Sequence, residues 1–287
     1  MSAITVKDAL KKYDRRLYKQ QLREETASEF LDYVKKYISQ TSNAIQDGES
    51  EEHLKNITNS FLRNTFYGDS SYEINTDKRI DSAIKENGEI RVLIENKNPK
   101  NKSEMVSADH INVKALHEVI LYYLTVTRNT NEAKVKRKPD IEIRRIIITD
   151  TKTWAVIDAN EIEKLVDGYL EKHFFKYINK QLIYSNNTDK FYSDTKQYLD
   201  SLGIENNLPY VYFDISEFAS AKNAVYLYKI LSKNYLLKDN SRYEESSHTL
   251  NEGFYQELLY IMGLKEKVGN SVFYLNTEKM SFSLNLI

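Results

Sequence analysis

Tyr72-Glu-Ile-Asn-Thr-Asp-Lys-Arg-Ile-Asp81-Ser-Ala-Ile84, then Glu86-Asn87-Gly88, then Ile90-Arg-Val-Leu-Ile-Glu95-Asn-Lys97-Asn-Pro99 is the stretch whose reading decides the fold. Side chains alternate with a period of two on both sides of Asn87-Gly88. That dipeptide favours a two-residue turn, because both central residues of such a turn need positive φ. A hairpin is expected. Pro99 ends its second arm, since proline lacks the N–H that continues a ladder. On that arm Glu95 and Lys97 are two apart and project from one face, whereas Val92 and Ile94 project from the other.

A carboxylate and an ammonium thus share one surface, and Asp81 lies in the adjoining arm. The simplest register separates them. A two-residue turn pairs Glu86 with Glu89 and therefore Asp81 with Ile94, which sends Asp81 to the wrong face. An odd-length loop, a bulge or a sharp bend between Asp81 and Glu95 restores convergence. The expectation is a carboxylate pair within about 5 Å, close enough to share one Mg²⁺.

Outward from the hairpin, Glu51 to Phe66 reads as an amphipathic helix with Ser50 as N-cap, and Val113 to Leu124 as a second helix. Ile141 to Thr149, with its Ile146-Ile147-Ile148 run, suits a strand buried on both faces. Trp154 to Ile157 gives another strand and Glu161 to Lys172 another helix. The order is that of an α/β layer protein with a central sheet flanked by helices. Before it, Thr5 to about Gln40 reads as one or two solvated helices, followed by a turn-rich joint from Gln40 to Ser50. From Thr188 the pattern is mostly helical, broken by strand-like Tyr210 to Phe213 and Val272 to Leu275. The expected organisation is a helical extension over residues 1–47, a core domain over 48–187 and a mainly helical connector over 188–287.

The 287 residues contain no Cys, which excludes disulfide scaffolds, cysteine zinc sites and thiol nucleophiles. No run of 18 apolar residues occurs, so a cytoplasmic protein without membrane spans is expected. The net charge of −1 says little about nucleic acid, because a basic face can be offset elsewhere.

Asp81, Glu95 and Lys97 form a minimum set for metal-dependent phosphodiester cleavage. Carboxylates hold Mg²⁺ or Mn²⁺, the ion polarises the phosphate and activates water, and the lysine stabilises charge. The bland counterpart is an exposed ion pair. On the following helix Glu118 and Tyr122 stack at i and i+4, with Lys114 a turn earlier. They either support the site or form a solvated face. His117 and His53 read as a packing residue and a surface residue.

The order helix carboxylate, Asp81, Glu95-x-Lys97, helix resembles the PD-(D/E)XK nucleases. More specifically, Glu51-Glu52-His-Leu-Lys-Asn, Phe61-Leu-Arg-Asn-Thr-Phe66-Tyr, Arg79-Ile-Asp81, Ile94-Glu95-Asn-Lys97 and Val113-Lys-Ala-Leu-His-Glu118-Val-Ile-Leu-Tyr122-Tyr resemble the N-terminal endonuclease region of type IIG restriction-modification enzymes. In that family one polypeptide joins the nuclease to an adenine methyltransferase and a target-recognition domain. The resemblance runs from about Thr5 to Phe175, and Leu250 to Leu264 looks like the connector that precedes the methyltransferase. Asn96 departs from the small or apolar residue commoner inside Glu-x-Lys, and no Pro precedes Asp81.

What the resemblance implies is a restriction-type DNA endonuclease with a PD-(D/E)XK core. Asp81 and Glu95 would be metal ligands, Lys97 the catalytic lysine and Glu52 a further ligand or water-orienting group. Double-stranded DNA would lie against Lys100, Lys102, Lys114 and Arg137, whose cationic groups neutralise phosphates without reading sequence. No glycine-rich methyl-donor loop appears among 8 Gly, so no S-adenosylmethionine site is expected. The chain reads as the nuclease portion of a larger system whose methyltransferase lies elsewhere. Its later residues would present an apolar face to that partner or to a second copy. The rival function is a DNA-binding or tethering module that does not cut.

Overall fold

The computed structural model describes residues 3–77, 80–129, 136–138, 141–166, 168–181 and 187–238, plus the short strands 264–266 and 273–275. Of Asp77, Ile80, Asn129, Lys136, Arg137, Asn187 and those last two strands it describes the backbone alone.

The chain opens with β1 (Ala3–Ile4), α1 (Val6–Tyr13), α2 (Arg15–Lys19) and α3 (Glu24–Gln46). Thr5 caps α1 by accepting from the Asp8 N–H, and Asp14 caps α2 by accepting from the Leu17 N–H. The joint expected from Gln40 is shorter than the sequence implied. Thr41 and Ala44 are buried and carry the helical period onward to Gln46. The turn falls at Gly48, whose φ of +73° suits glycine.

Next come α4 (Glu51–Thr65), β2 (Tyr72–Asp77), β3 (Ile80–Glu86), β4 (Glu89–Asn96) and α5 (Lys114–Thr127). The single arm read from Tyr72 to Ile84 is two strands, paired antiparallel with Asp77 opposite Ile80. After α5 follow β5 (Arg128–Asn129), β6 (Lys136–Arg137), β7 (Arg145–Thr149), β8 (Thr153–Asp158), α6 (Ala159–Val166) and α7 (Tyr169–Ile178). The helix expected over Glu161 to Lys172 is broken in two by Gly168 at φ +88°, a conformation that side chains rarely adopt. Then come α8 (Asn187–Ser201), α9 (Ile204–Asn207), β9 (Tyr210–Asp214), a 3₁₀ turn at Ile215–Phe218, α10 (Ala221–Leu231) and α11 (Lys233–Leu236).

One mixed sheet organises these elements in the order β1-β9-β8-β7-β4-β3-β2. β4 and β7 are parallel, so the chain must cross over between them, and α5 makes that crossing. On one face Ile84, Val92, Ile94, Ile147 and Trp154 pack with Leu10, Phe30, Phe61, Leu62 and Leu227 from α1, α3, α4 and α10. On the other, Ala83, Leu93, Ile146, Ile148 and Ile157 pack with Leu116, Ile120, Ile162, Phe174 and Phe191 from α5 to α8. The Ile146-Ile147-Ile148 run is apolar throughout because both faces of β7 are covered.

The boundaries expected near residues 47 and 187 fall inside one compact unit, Met1–Lys238. The reason is β9, which lies beyond the second boundary yet sits between β8 and β1, so both ends of the unit complete its sheet. Over 188–238 the apolar faces close on this core; among the described residues there, Leu202 is the large hydrophobic left exposed. Residues 239–287 form a second unit, in which β10 (Leu264–Glu266) and β11 (Phe273–Leu275) pair antiparallel. The connector expected over Leu250 to Leu264 lies outside the described residues except for Leu264, which is in β10. Among the described residues no helix is long and apolar enough to cross a membrane.

Candidate functional site

The register of β3 against β4 settles which charges meet. The turn is a two-residue one, with Asn87 at φ +53° and Gly88 at φ +82° and Glu86 opposite Glu89. Lys85 then opposes Ile90, but Ile84 opposes Val92, so Arg91 is an extra residue that the partner strand does not match. This is the bulge that convergence requires. The pairs Ala83–Leu93 and Ser82–Ile94 follow, and the same register carried one step further sets Asp81 across from Glu95. Both alternate in phase with Ala83 and Leu93, which belong to the core layer under α5. Arg91 is held in place by Glu86 at 3.5 Å and Glu89 at 2.5 Å, and its carbonyl accepts from the Arg144 N–H.

Glu95 is only 2% exposed, and its Oε1 lies 2.7 Å from the Lys97 Nζ. Its Oε2 is buried without a hydrogen-bond partner. Lys97 also pairs with Glu118 from the first turns of α5, and its backbone N–H donates to the Thr149 carbonyl of β7. The Asp81 Oδ2 accepts from the Asn96 N–H at 3.0 Å. From the first turn of α4, the Glu51 Oε2 accepts from the Asn98 N–H at 2.8 Å, so the start of α4 is tied to the end of β4. Lys55, buried on α4, pairs with Glu52.

The electrostatics reflect a shortage of positive charge. Burial raises the Asp81 pKa, opposed by the Asn96 N–H and by Lys55 and Lys97. Burial raises that of Glu95 much further; Lys97 opposes the rise, whereas Asp81 and Glu118 add to it. Burial alone would pull the Lys97 pKa down, yet Glu95 and Glu118 hold it above the ordinary lysine range. The phenols of Tyr122 and Tyr192 are raised, first by burial and then by these same carboxylates. Three acids therefore gather around Lys97, with Lys55 acting on Asp81 and Lys114 at the edge of Glu118, and the raised carboxylates favour further positive charge there, as a proton or a cation.

Asp81, Glu95, Lys97 and Glu118 are thus brought together, with Tyr122 beside them. Glu52 is not: it is largely exposed, and its neighbour Glu51 makes the contact to β4. Lys114 pairs with Glu104 at 3.1 Å and lies 4.0 Å from Glu118. Lys100 and Lys102 are exposed on the loop after β4. The backbone of Arg137 is placed in β6, and its side chain lies outside the described residues. His53 is exposed in the first turn of α4, and His117 is buried against Asn112. Sequence reasoning missed Lys55 and Tyr192. Lys55 had a signal, a lysine at i+3 from Glu52 on the helix side that turns toward the hairpin; Tyr192 had none.

Among the described residues no three His, Asp or Glu side chains form a preformed metal cage. The donor set still suits one ion. Mg²⁺ keeps several waters and is commonly held by one or two carboxylates, and here the unpartnered Glu95 Oε2 and the Asp81 carboxylate supply anionic oxygens.

Fold and site together define a mixed-sheet α/β protein with a buried, under-neutralised acidic cluster at the end of β4. By its sequence the chain belongs to the family described as Domain of unknown function (DUF7149), whose model matches residues 4–244. No curated protein and no solved structure matches it.

Proposed function

We propose that this chain is a metal-dependent DNA endonuclease of restriction type, the nuclease portion of a type IIG restriction-modification system built on a PD-(D/E)XK core. The observation that carries the reading is the bulge at Arg91. It is a departure from regular pairing, and its effect is to set Asp81 across from Glu95 on the α5 side. The succession α4, β2, β3, β4, α5 and the parallel β7 agrees with the core that these motifs resemble.

In this reading Asp81 and Glu95 hold Mg²⁺ or Mn²⁺, which when bound polarises the scissile phosphate and activates water. Lys97 stabilises the charge that develops on the phosphate and exchanges its contact with Glu95 or Glu118 for one with phosphate oxygen. Lys55 screens Asp81 from the α4 side, and Tyr122 and Tyr192 border the acids. Lys100 and Lys102 meet the DNA backbone.

The test is relaxation of supercoiled plasmid by the purified chain in Mg²⁺ or Mn²⁺, with Lys97→Met as control. Metal-dependent nicking that the variant lacks is the expected result. A second reading is favoured by one observation, the locking of Lys97 between two carboxylates: a DNA-binding module that does not cut. Salt-sensitive DNA binding with no cleavage in either metal would establish that reading instead.

A further inference from the structure

Across the sheet from α5, the segment after α2, the end of α4 and the α10–α11 corner line an open cavity of about 370 Å³. Its apolar wall includes Leu22, Phe66 and Tyr228. Its polar side includes Lys229, which is 5% exposed. The Lys229 Nζ donates to the Tyr18 carbonyl at 2.8 Å and lies 5.8 Å from the Tyr226 ring centre. Among the described residues no carboxylate pairs with it. An ammonium carries three donors, and burying one with a single carbonyl partner is costly. Burial accordingly pulls its pKa below the ordinary lysine value.

No acid lines this cavity. Lys233, which also lines it, is engaged by Asp69 at 2.5 Å. Gln20, Gln21 and Asn234, all exposed, also line it, and their side-chain amides make no hydrogen bond to protein among the described residues. A buried cation without a carboxylate partner, exposed amide donors and an aromatic wall together complement one kind of occupant.

We infer that this cavity binds a small molecule carrying a phosphate or carboxylate group, with the oxyanion against Lys229 and the amides and a flat apolar body against Phe66 and Tyr228. The volume lies in the range of small-molecule sites. Thr65 and Phe66 end α4, whose first turn carries Glu51, so the occupant would brace the helix that positions the end of β4.

The test is calorimetric titration of the full chain at physiological ionic strength with inorganic phosphate, deoxyadenosine 5′-monophosphate and benzoate. These separate a bare oxyanion from a nucleotide and from an aromatic carboxylate. One site per chain is expected for at least one probe, weakened about tenfold or more in Lys229→Met and retained in Lys229→Arg, because a charge-assisted hydrogen bond is lost in the first variant only. Lys229→Met should also melt higher than the wild type without any probe. If that variant fails to fold, the Gln20→Ala/Asn234→Ala double variant takes its place and must weaken the same binding. Failure of all three probes to bind, or binding indifferent to these substitutions, overturns the inference.

Discussion

α5 carries a buried ionic cluster at each end, and the two are built to opposite rules. At its C-terminal end Arg128, 1% exposed, donates from Nε to Glu171 on α7, from one terminal nitrogen to Glu163 on α6 and from the other to the Thr127 hydroxyl. Glu163 in turn accepts from the Tyr123 hydroxyl. One cation there serves two anions, but each nitrogen of the guanidinium has an acceptor. At the N-terminal end Glu118 and Glu95 share one lysine, Asp81 adds a third acid, and the Glu95 Oε2 is buried without a hydrogen-bond partner. Buried polar groups left unsatisfied are expensive. The same helix thus separates a structural cluster from one with capacity to spare.

Breaking the closed cluster should cost the most stability. Arg128→Met strips the cation from two glutamates that each remain about a quarter exposed, and the expected loss is about 3 kcal/mol in urea unfolding. Lys97→Met removes the cation of the open cluster with a smaller loss, because Glu95, its pKa already raised, takes up a proton instead. Its large effect is on plasmid cleavage, a drop of at least about 100-fold. Equal destabilisation by the two substitutions would erase the distinction between the clusters.

Glu95→Gln sharpens the comparison on the side of the metal. At about ten times Kd, an ion that binds the folded state stabilises it by about 1.4 kcal/mol, which raises Tm by about 2–3 °C in a chain of this size. Wild type should show that shift with Mn²⁺ and Glu95→Gln should not, while melting at or above the wild-type temperature in metal-free buffer. An equal Mn²⁺ shift in both would remove Glu95 from the site.

Much of this site was legible because strand period and turn chemistry are local. Asn87-Gly88 fixed the turn, and the conflict between that turn and the facing of Asp81 required an irregularity, which the register shift at Arg91 supplies. The class of fold was legible for the same reason, in the alternation of periods. What was not legible is non-local. β1 has two residues, too few to show a period, and it pairs with β9, whose sequence neighbours are helices. The place of β9 inside the sheet, and with it the unity of Met1–Lys238, depends on contacts about two hundred residues apart in the chain. The role of Glu51 in place of Glu52 turns on a helix rotation of one residue, and periodicity does not resolve that.

The smallest effect tests the bland reading of His117, the neighbour of Glu118 on α5. Its Nε2 lies 2.7 Å from the Asn112 Oδ1, an atom that only accepts, so His117 is the donor, and the Asn112 amide donates to the Lys196 carbonyl and to Asp200. Burial pushes its pKa down to about 4, helped by Lys196 and opposed by Asp200. The folded state therefore keeps it neutral where the unfolded chain protonates, and its contribution is complete above about pH 6.5 and is lost as pH falls toward 4. Between pH 7 and 5.5 the loss is about 1 kcal/mol. His117→Gln keeps a donor for Asn112 without the titration, so the drop in unfolding free energy over that interval should shrink by this amount. An unchanged drop would mean that protonated His117 is accommodated in the fold, and the packing role assigned to it would fail.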